Sequence, residues 1–152
     1  MLNTQLPDFE LPATGGQRFQ RSAFEGYPFI IYFYPKDNTP GCTEEGGQFR
    51  DLYAAFLKAG YQVFGVSRDS IKSHESFKKK MNFPFELLSD EEEMVCNIFG
   101  VMKMKNMYGK QVRGIERSTF VIDKNGAIAK AWRGVKVPGH VQEVLDYVKS
   151  LG

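Results

Sequence analysis

The fold turns on Phe29-Ile30-Ile31-Tyr32-Phe33-Tyr34 and the run after it, Pro35-Lys36-Asp37-Asn38-Thr39-Pro40-Gly41-Cys42. The first six residues are β-branched or aromatic throughout, which predicts a strand buried on both faces. Proline, asparagine, aspartate and glycine then stop it with turn chemistry. From Cys42 to Ala59 the pattern becomes helical, with Phe49, Leu52, Tyr53, Phe56 and Leu57 about one turn apart, and Gly60 suits the C′ position. With Thr39 as N-cap, Pro40 takes the first helical position, where its missing N–H costs nothing. Cys42 then falls in the first turn, among unpaired backbone N–H groups at the positive end of the helix dipole.

That is where a reactive thiolate is placed. A free thiol is only about 3% ionised at pH 7, and lowering its pKa to ~6 takes about 3.4 kcal/mol of preference for the anion. A helix N-terminus contributes ~0.3–1 kcal/mol, up to ~2 when partly buried. A second positive group is therefore expected near Cys42, an arginine from elsewhere in the chain. Complete ionisation raises the thiolate fraction only ~30-fold, so larger rate gains need transition-state stabilisation.

Outward from this centre the chain reads in order. Asp8-Phe9-Glu10-Leu11 alternates, and Gly15-Gly16 turns it into a second strand near Arg18-Phe19, an N-terminal hairpin. Tyr61 to Ser67 is the strand after the central helix. Ser70 starts a helix carrying Ile71, Phe77 and Met81, whose end is Lys78-Lys79-Lys80, where cations suit the dipole. Phe85 to Leu88 is a short strand. Asp90 to Phe99 is a helix with three glutamates in its first turn and a core stripe of Val95, Ile98, Phe99 and Met102. Lys103 to Gly114 is a polar loop interrupted by Met104, Met107 and Tyr108. Thr119 to Ile122 and Ala127 to Trp132 are strands joined at Asp123-Lys124-Asn125-Gly126. Pro138 to Leu151 is a closing helix with Val141, Val144, Leu145 and Val148 inward. Two β-α-β units, a hairpin and a final helix make an α/β protein, a mixed central sheet covered by helices. The whole chain, 1–152, is one domain without repeats, linkers or low-complexity tracts.

Pro35, Thr39 and Cys42 form P-x-x-x-T-x-x-C, and the run Tyr32 to Thr43 resembles the peroxiredoxin Q (bacterioferritin comigratory protein) subfamily of peroxiredoxins. Glu45, Phe49, Arg50 and Asp51 continue the likeness. So do Gly65-Val66-Ser67 with Asp69, Met107-Tyr108-Gly109-Lys110, and Arg117-Ser118-Thr119-Phe120-Val121-Ile122-Asp123. The resemblance implies a thioredoxin-like fold, which the element order also suits. It implies an antioxidant thiol peroxidase in which Cys42 attacks a hydroperoxide and becomes a sulfenic acid. It gives Thr39 the task of orienting the peroxide, compatible with a capping role, and has Pro35 shield the sulfur from water. Gly41 and Cys42 are expected to offer backbone N–H groups to the peroxide oxygens. Arg117 is the expected second positive group, against the alternative of a surface arginine paired with Glu116. Glu45 either holds Arg117 in place or is an ordinary acidic residue of a first helical turn.

Cys96 departs from the family's two-cysteine patterns. A resolving cysteine would stand at Gly47 or near Lys78, and neither is cysteine. Cys96, beside a core stripe, is read as a buried structural residue. The expectation is a one-cysteine cycle completed by thioredoxin, glutaredoxin or a low-molecular-weight thiol. The alternatives are resolution through Cys96, or a redox sensor that passes oxidation to a partner protein. Cys42-Thr43-Glu44-Glu45 lacks the second cysteine of C-x-x-C, which argues against a disulfide exchanger. Gly46 and Gly47 inside the helix, at ~1 kcal/mol each relative to alanine, are expected to let the first turn unwind and present oxidised Cys42 to a reductant.

Composition narrows the rest. A hydrophobic share of 42% and an aromatic share of 14% suit a chain that buries a core. A formal charge of +2 is too small to argue for nucleic acid. No segment approaches the ~18 apolar residues of a membrane span, Met1 to Gln5 lacks the marks of a signal peptide, and two cysteines make no disulfide framework. A cytoplasmic protein is expected, and the resemblance favours a monomer or weak dimer. His74 and His140 have no metal-ligand spacing with either cysteine and are read as surface residues. Met102, Met104 and Met107 are read as loop and core filling. No metal or cofactor is called for.

Overall fold

The computed structural model describes residues 2–151, without the side chain of Met107. Met1 and that side chain, both part of the readings above, lie outside the described residues. Seven strands form one sheet: β1 (Glu10–Ala13), β2 (Gln17–Gln20), β3 (Phe29–Phe33), β4 (Gln62–Ser67), β5 (Leu87–Ser89), β8 (Ser118–Ile122) and β9 (Ile128–Arg133). Their spatial order is β2-β1-β5-β4-β3-β8-β9. β3, β4 and β5 run parallel, joined by α1 (Pro40–Lys58) and α2 (Ile71–Met81), and the flanking strands are antiparallel. The thioredoxin-like mixed sheet, its flanking helices and the N-terminal hairpin are as expected.

β3 lies between β4 and β8, and all five of its residues are buried. Side-chain alternation sorts them. Phe29, Ile31 and Phe33 pack on one face with Phe64, Phe120, Val95, Cys96 and Phe99. Ile30, Tyr32 and Tyr34 pack on the other with Cys42, Phe49, Phe56, Phe77 and the apolar stripe of α4 (His140–Ser150). Both crossover helices cover this second face, as same-handed β-α-β units along one sheet direction must. Val141, Val144, Leu145 and Val148 of α4 are buried as expected. α1 ends with Tyr61 N–H on Phe56 O (2.9 Å) and Gly60 N–H on Leu57 O (2.9 Å), the paired bonds of a Schellman cap.

Several elements differ from the sequence reading. Residues 103–114 are not a loop: β6 (Met102–Met107) and β7 (Lys110–Ile115) form a separate antiparallel ribbon. Its turn is Tyr108-Gly109, with both φ angles positive (52° and 81°), the requirement of a two-residue hairpin turn. The ribbon is largely exposed, so it lacks the apolar alternation from which strands are read. The third helix, α3, is Met94–Phe99 rather than Asp90–Phe99. Glu93 sits at φ 63° and pairs with Arg68 and Arg113, which pulls the acidic run out of helical geometry. Asp90 instead reaches over the turn and accepts from the N–H groups of Val95 (3.3 Å) and Cys96 (2.7 Å). β5 likewise starts at Leu87, two residues later than expected.

Candidate active site

Cys42 lies at the carboxyl end of β3, in the first turn of α1, and is 2% exposed. Thr39 is the N-cap with extended backbone and Pro40 is the first helical residue. The Thr39 hydroxyl does not cap the helix. It donates to Lys36 O at 2.8 Å across the turn, which leaves the oxygen able to accept. Pro35 is half-buried beside the turn.

Arg117 stands just before β8 and spans two partners. Its Nη1 donates to Glu45 Oε1 at 2.8 Å and its Nη2 approaches Cys42 Sγ at 3.5 Å. No ion pair joins it to Glu116 among those seen in the described residues. The guanidinium lies so close to Gly41 that a Cβ there would meet Nη2 at 2.9 Å, a position only glycine fills without displacing it. Glu45 is wholly buried, and its second oxygen, Oε2, has no hydrogen-bond partner among the described residues. Burial pushes the Glu45 carboxyl up to about 7 against the pull of Arg117. Lys105, on the ribbon, donates to Ile115 O at 2.5 Å. Burial and the neighbouring Arg117 charge lower its pKa. Nothing in its polar stretch marks Lys105 as part of this neighbourhood.

Both histidines are buried, contrary to the sequence reading. His74 is 0% exposed, with Nδ1 2.8 Å from Asp37 Oδ2 and Nε2 2.8 Å from Leu88 O. Position 74 lies one turn from Ile71 and from Phe77, so the helical stripe itself held the signal. His140 has Nε2 2.8 Å from Thr119 Oγ1 and the Trp132 ring edge-on, and burial takes its pKa down to about 4. Asp37, Asp69 and His74 bring ligating atoms within 4.8 Å of one another. Both ring nitrogens of His74 are already committed to protein oxygens, so this group shares protons rather than presenting a vacant ligand set.

The glycines after Cys42 differ in kind. A Cβ on Gly46 would meet Phe83 Cζ at 2.5 Å, whereas one on Gly47 would meet nothing closer than 3.5 Å. Phe83 is itself held between Phe77 and Phe85 and cannot readily withdraw. Gly46 is therefore a packing requirement of α1 against the loop after α2. Gly46→Ala should lower stability by about 1–2 kcal/mol, overpacking outweighing helix propensity, and Gly47→Ala should raise it by up to ~1 kcal/mol. Urea midpoints of the two variants check this opposition.

Cys96 opens α3 on the other face of the sheet from Cys42 and is 0% exposed. Burial, then the Asp90 carboxylate, push its thiol pKa well up. Both cysteines are free thiols.

A buried thiol at a strand-to-helix junction, faced by a guanidinium in a thioredoxin-like sheet, defines a thiol enzyme. Comparison with known proteins narrows the class. Residues 2–131 match the model of the AhpC/TSA family. The chain is 52% identical over 143 residues to the peroxiredoxin Bcp of Xanthomonas campestris, covering 94% of this chain and 89% of that one. It is 51% identical over 141 residues to a putative peroxiredoxin bcp of Coxiella burnetii, covering 93% of each. The bacterioferritin comigratory protein of Xanthomonas campestris, studied for alkyl peroxide reduction through trapped intermediate and ligand complexes, superposes with a TM-score of 0.92. It shares 49% identity, over 99% of this chain and 98% of that one. Solved variants of the Xanthomonas protein carry serine at one or another of two different cysteines. The chain belongs to the AhpC/TSA family, in its Bcp/peroxiredoxin Q branch, and is a peroxiredoxin, a thiol peroxidase.

Proposed function

We propose that the chain reduces hydrogen peroxide and alkyl hydroperoxides at Cys42 by a one-cysteine cycle. The observation that carries this is the Arg117 fork, one arm on Cys42 Sγ and the other on buried Glu45. The thiolate attacks one peroxide oxygen. The S–O bond forms as the O–O bond breaks, and the electron pair leaves on the second oxygen, which takes a proton and departs as water or alcohol. Arg117 and the N–H groups of Gly41 and Cys42 receive the developing charge. The Thr39 hydroxyl, its proton turned to Lys36 O, accepts from the peroxide O–H. Pro35 limits water at the sulfur. An external thiol then condenses with the sulfenic acid, releasing water, and a second thiol frees Cys42 as the disulfide of the reductant. Thioredoxin, glutaredoxin and small thiols are the reductant classes.

The reading of Cys96 as structural rests on its place across the sheet and its raised thiol pKa, both unfavourable to attack on an oxidised Cys42. The test is intact mass of the non-reduced protein after one equivalent of hydrogen peroxide, with and without a sulfenic-acid trap. One added oxygen, trapped and mapped to Cys42, is expected. A loss of two hydrogens with Cys42 joined to Cys96 would overturn the one-cysteine cycle, and an unchanged mass would remove Cys42 as the nucleophile.

A further inference from the structure

The turn that delivers Cys42 is gripped from one side by α2. Asp37, 5% exposed, sits two residues before the N-cap Thr39. Its Oδ1 accepts from the Tyr34 hydroxyl at 2.6 Å, and its Oδ2 lies 2.8 Å from both Ser73 Oγ and His74 Nδ1. Its backbone N–H donates to Asp69 Oδ2 at 2.9 Å, an oxygen that also takes the Ser67 hydroxyl at 2.5 Å. Asn38, next in the turn, adopts φ 64° and accepts from Lys80 Nζ at 3.2 Å. Ser73, His74 and Lys80 all belong to α2, so one helix holds two successive residues of the turn.

His74 is the member with no alternative partner. A carbonyl oxygen only accepts, so the nitrogen facing Leu88 O carries a proton. The other nitrogen faces a carboxylate oxygen. That carboxylate already receives two hydroxyl donors. Burial raises the Asp37 pKa, but the donors led by His74 outweigh it and leave it below the usual carboxylate value. One proton is therefore shared between His74 Nδ1 and Asp37 Oδ2, in a pair closed off from water.

We propose that His74 is a positioning residue: its buried pair with Asp37 latches the β3–α1 turn in the shape that meets peroxide. The inference rests on Cys42 being the nucleophile. The latch acts only through the backbone of residues 36–39, which sets the Thr39 hydroxyl and the first turn of α1. Tight closure favours the peroxide step, where donor placement decides the rate. Looseness favours the thiol step, where a larger molecule must reach a sulfur that is 2% exposed in the closed form.

The test separates the two half-reactions. In His74→Gln the amide keeps the reach to Leu88 O and loses Asp37. In His74→Asn a neutral donor remains near Asp37. His74→Gln is expected to slow Cys42 oxidation by hydrogen peroxide roughly tenfold while leaving reduction of the sulfenic acid by dithiothreitol equal or faster, and His74→Asn is expected to recover oxidation to within about threefold of wild type. The proton spectrum of the wild-type protein at pH 7 should show a slowly exchanging, downfield resonance for the proton between His74 and Asp37. Absence of that resonance, an unchanged oxidation rate in His74→Gln, or an equal fall in both half-reactions would overturn the latch. The wild-type spectrum decides whether the pair is closed even if the variants fold poorly. Failure of wild-type Cys42 to react would instead remove the reading of the nucleophile and leave that spectrum standing.

Discussion

Arg117→Ala is expected to lower the second-order rate of Cys42 with hydrogen peroxide by about 10²–10³, the scale set by removing one preorganised donor from an oxyanion-type site. The guanidinium does two separable things. It places charge 3.5 Å from the sulfur, and in the proposed cycle its donors also meet the peroxide oxygens in the transition state. The first effect is bounded, because full ionisation of an ordinary thiol gains only ~30-fold. Alkylation by iodoacetamide, which needs the thiolate but no peroxide site, should therefore fall by no more than ~30-fold in the same variant. A loss larger for peroxide than for alkylation assigns the difference to the transition state. Equal losses would confine Arg117 to ionising the sulfur. Arg117→Lys keeps the charge and loses the fork. One ammonium cannot hold Glu45 and Cys42 in the geometry of two guanidinium nitrogens, so a loss of about 10–10² is expected there.

Much of this site was legible in the sequence because its placement is local. Thr39, Pro40 and Cys42 fall at the N-cap, first and third positions of a helix whose stripe is unmistakable, and β3 is apolar at every residue. The requirement for a distant cation follows from thiol energetics alone, and the motif resemblance supplied Arg117. What was not legible depends on tertiary partners. The burial of His74 could be read from its place one turn from Ile71 and Phe77, but its partners Asp37 and Leu88 O could not. Thr39 has a capping side chain by type, yet its oxygen accepts from no backbone N–H of α1 and its proton goes to Lys36 O. The β6–β7 ribbon buries too little to leave a period in the sequence, and only Tyr108-Gly109 betrays its turn. Gly46 looked like a weak point in α1, and it is a contact surface for Phe83.

Glu45 should make the stability of the fold fall as pH rises toward neutrality, opposite to the usual carboxylate. Its carboxyl titrates near 4.5 when unfolded and is pushed up to about 7 in the fold, chiefly by burial. Between those values the native state holds a proton that the unfolded state has released, so unfolding gains free energy with each step in pH. The accumulated loss is about 3 kcal/mol, complete once pH exceeds 7 and absent below 4.5. Glu45→Gln has the same shape and does not titrate. Urea unfolding should show the two proteins alike near pH 4.5 and the glutamine variant more stable by about 3 kcal/mol near pH 8, and the difference cancels groups such as Asp37 whose pKa is shifted in the opposite direction. A difference that stays flat with pH would mean that Arg117 keeps Glu45 ionised throughout. The same substitution should slow Cys42 oxidation about tenfold, because an amide oxygen holds the guanidinium less firmly than a carboxylate. In the proposed cycle Glu45 steadies the arginine over Cys42 at a cost to the fold, and Oε2, without a hydrogen-bond partner among the described residues, is where that cost resides.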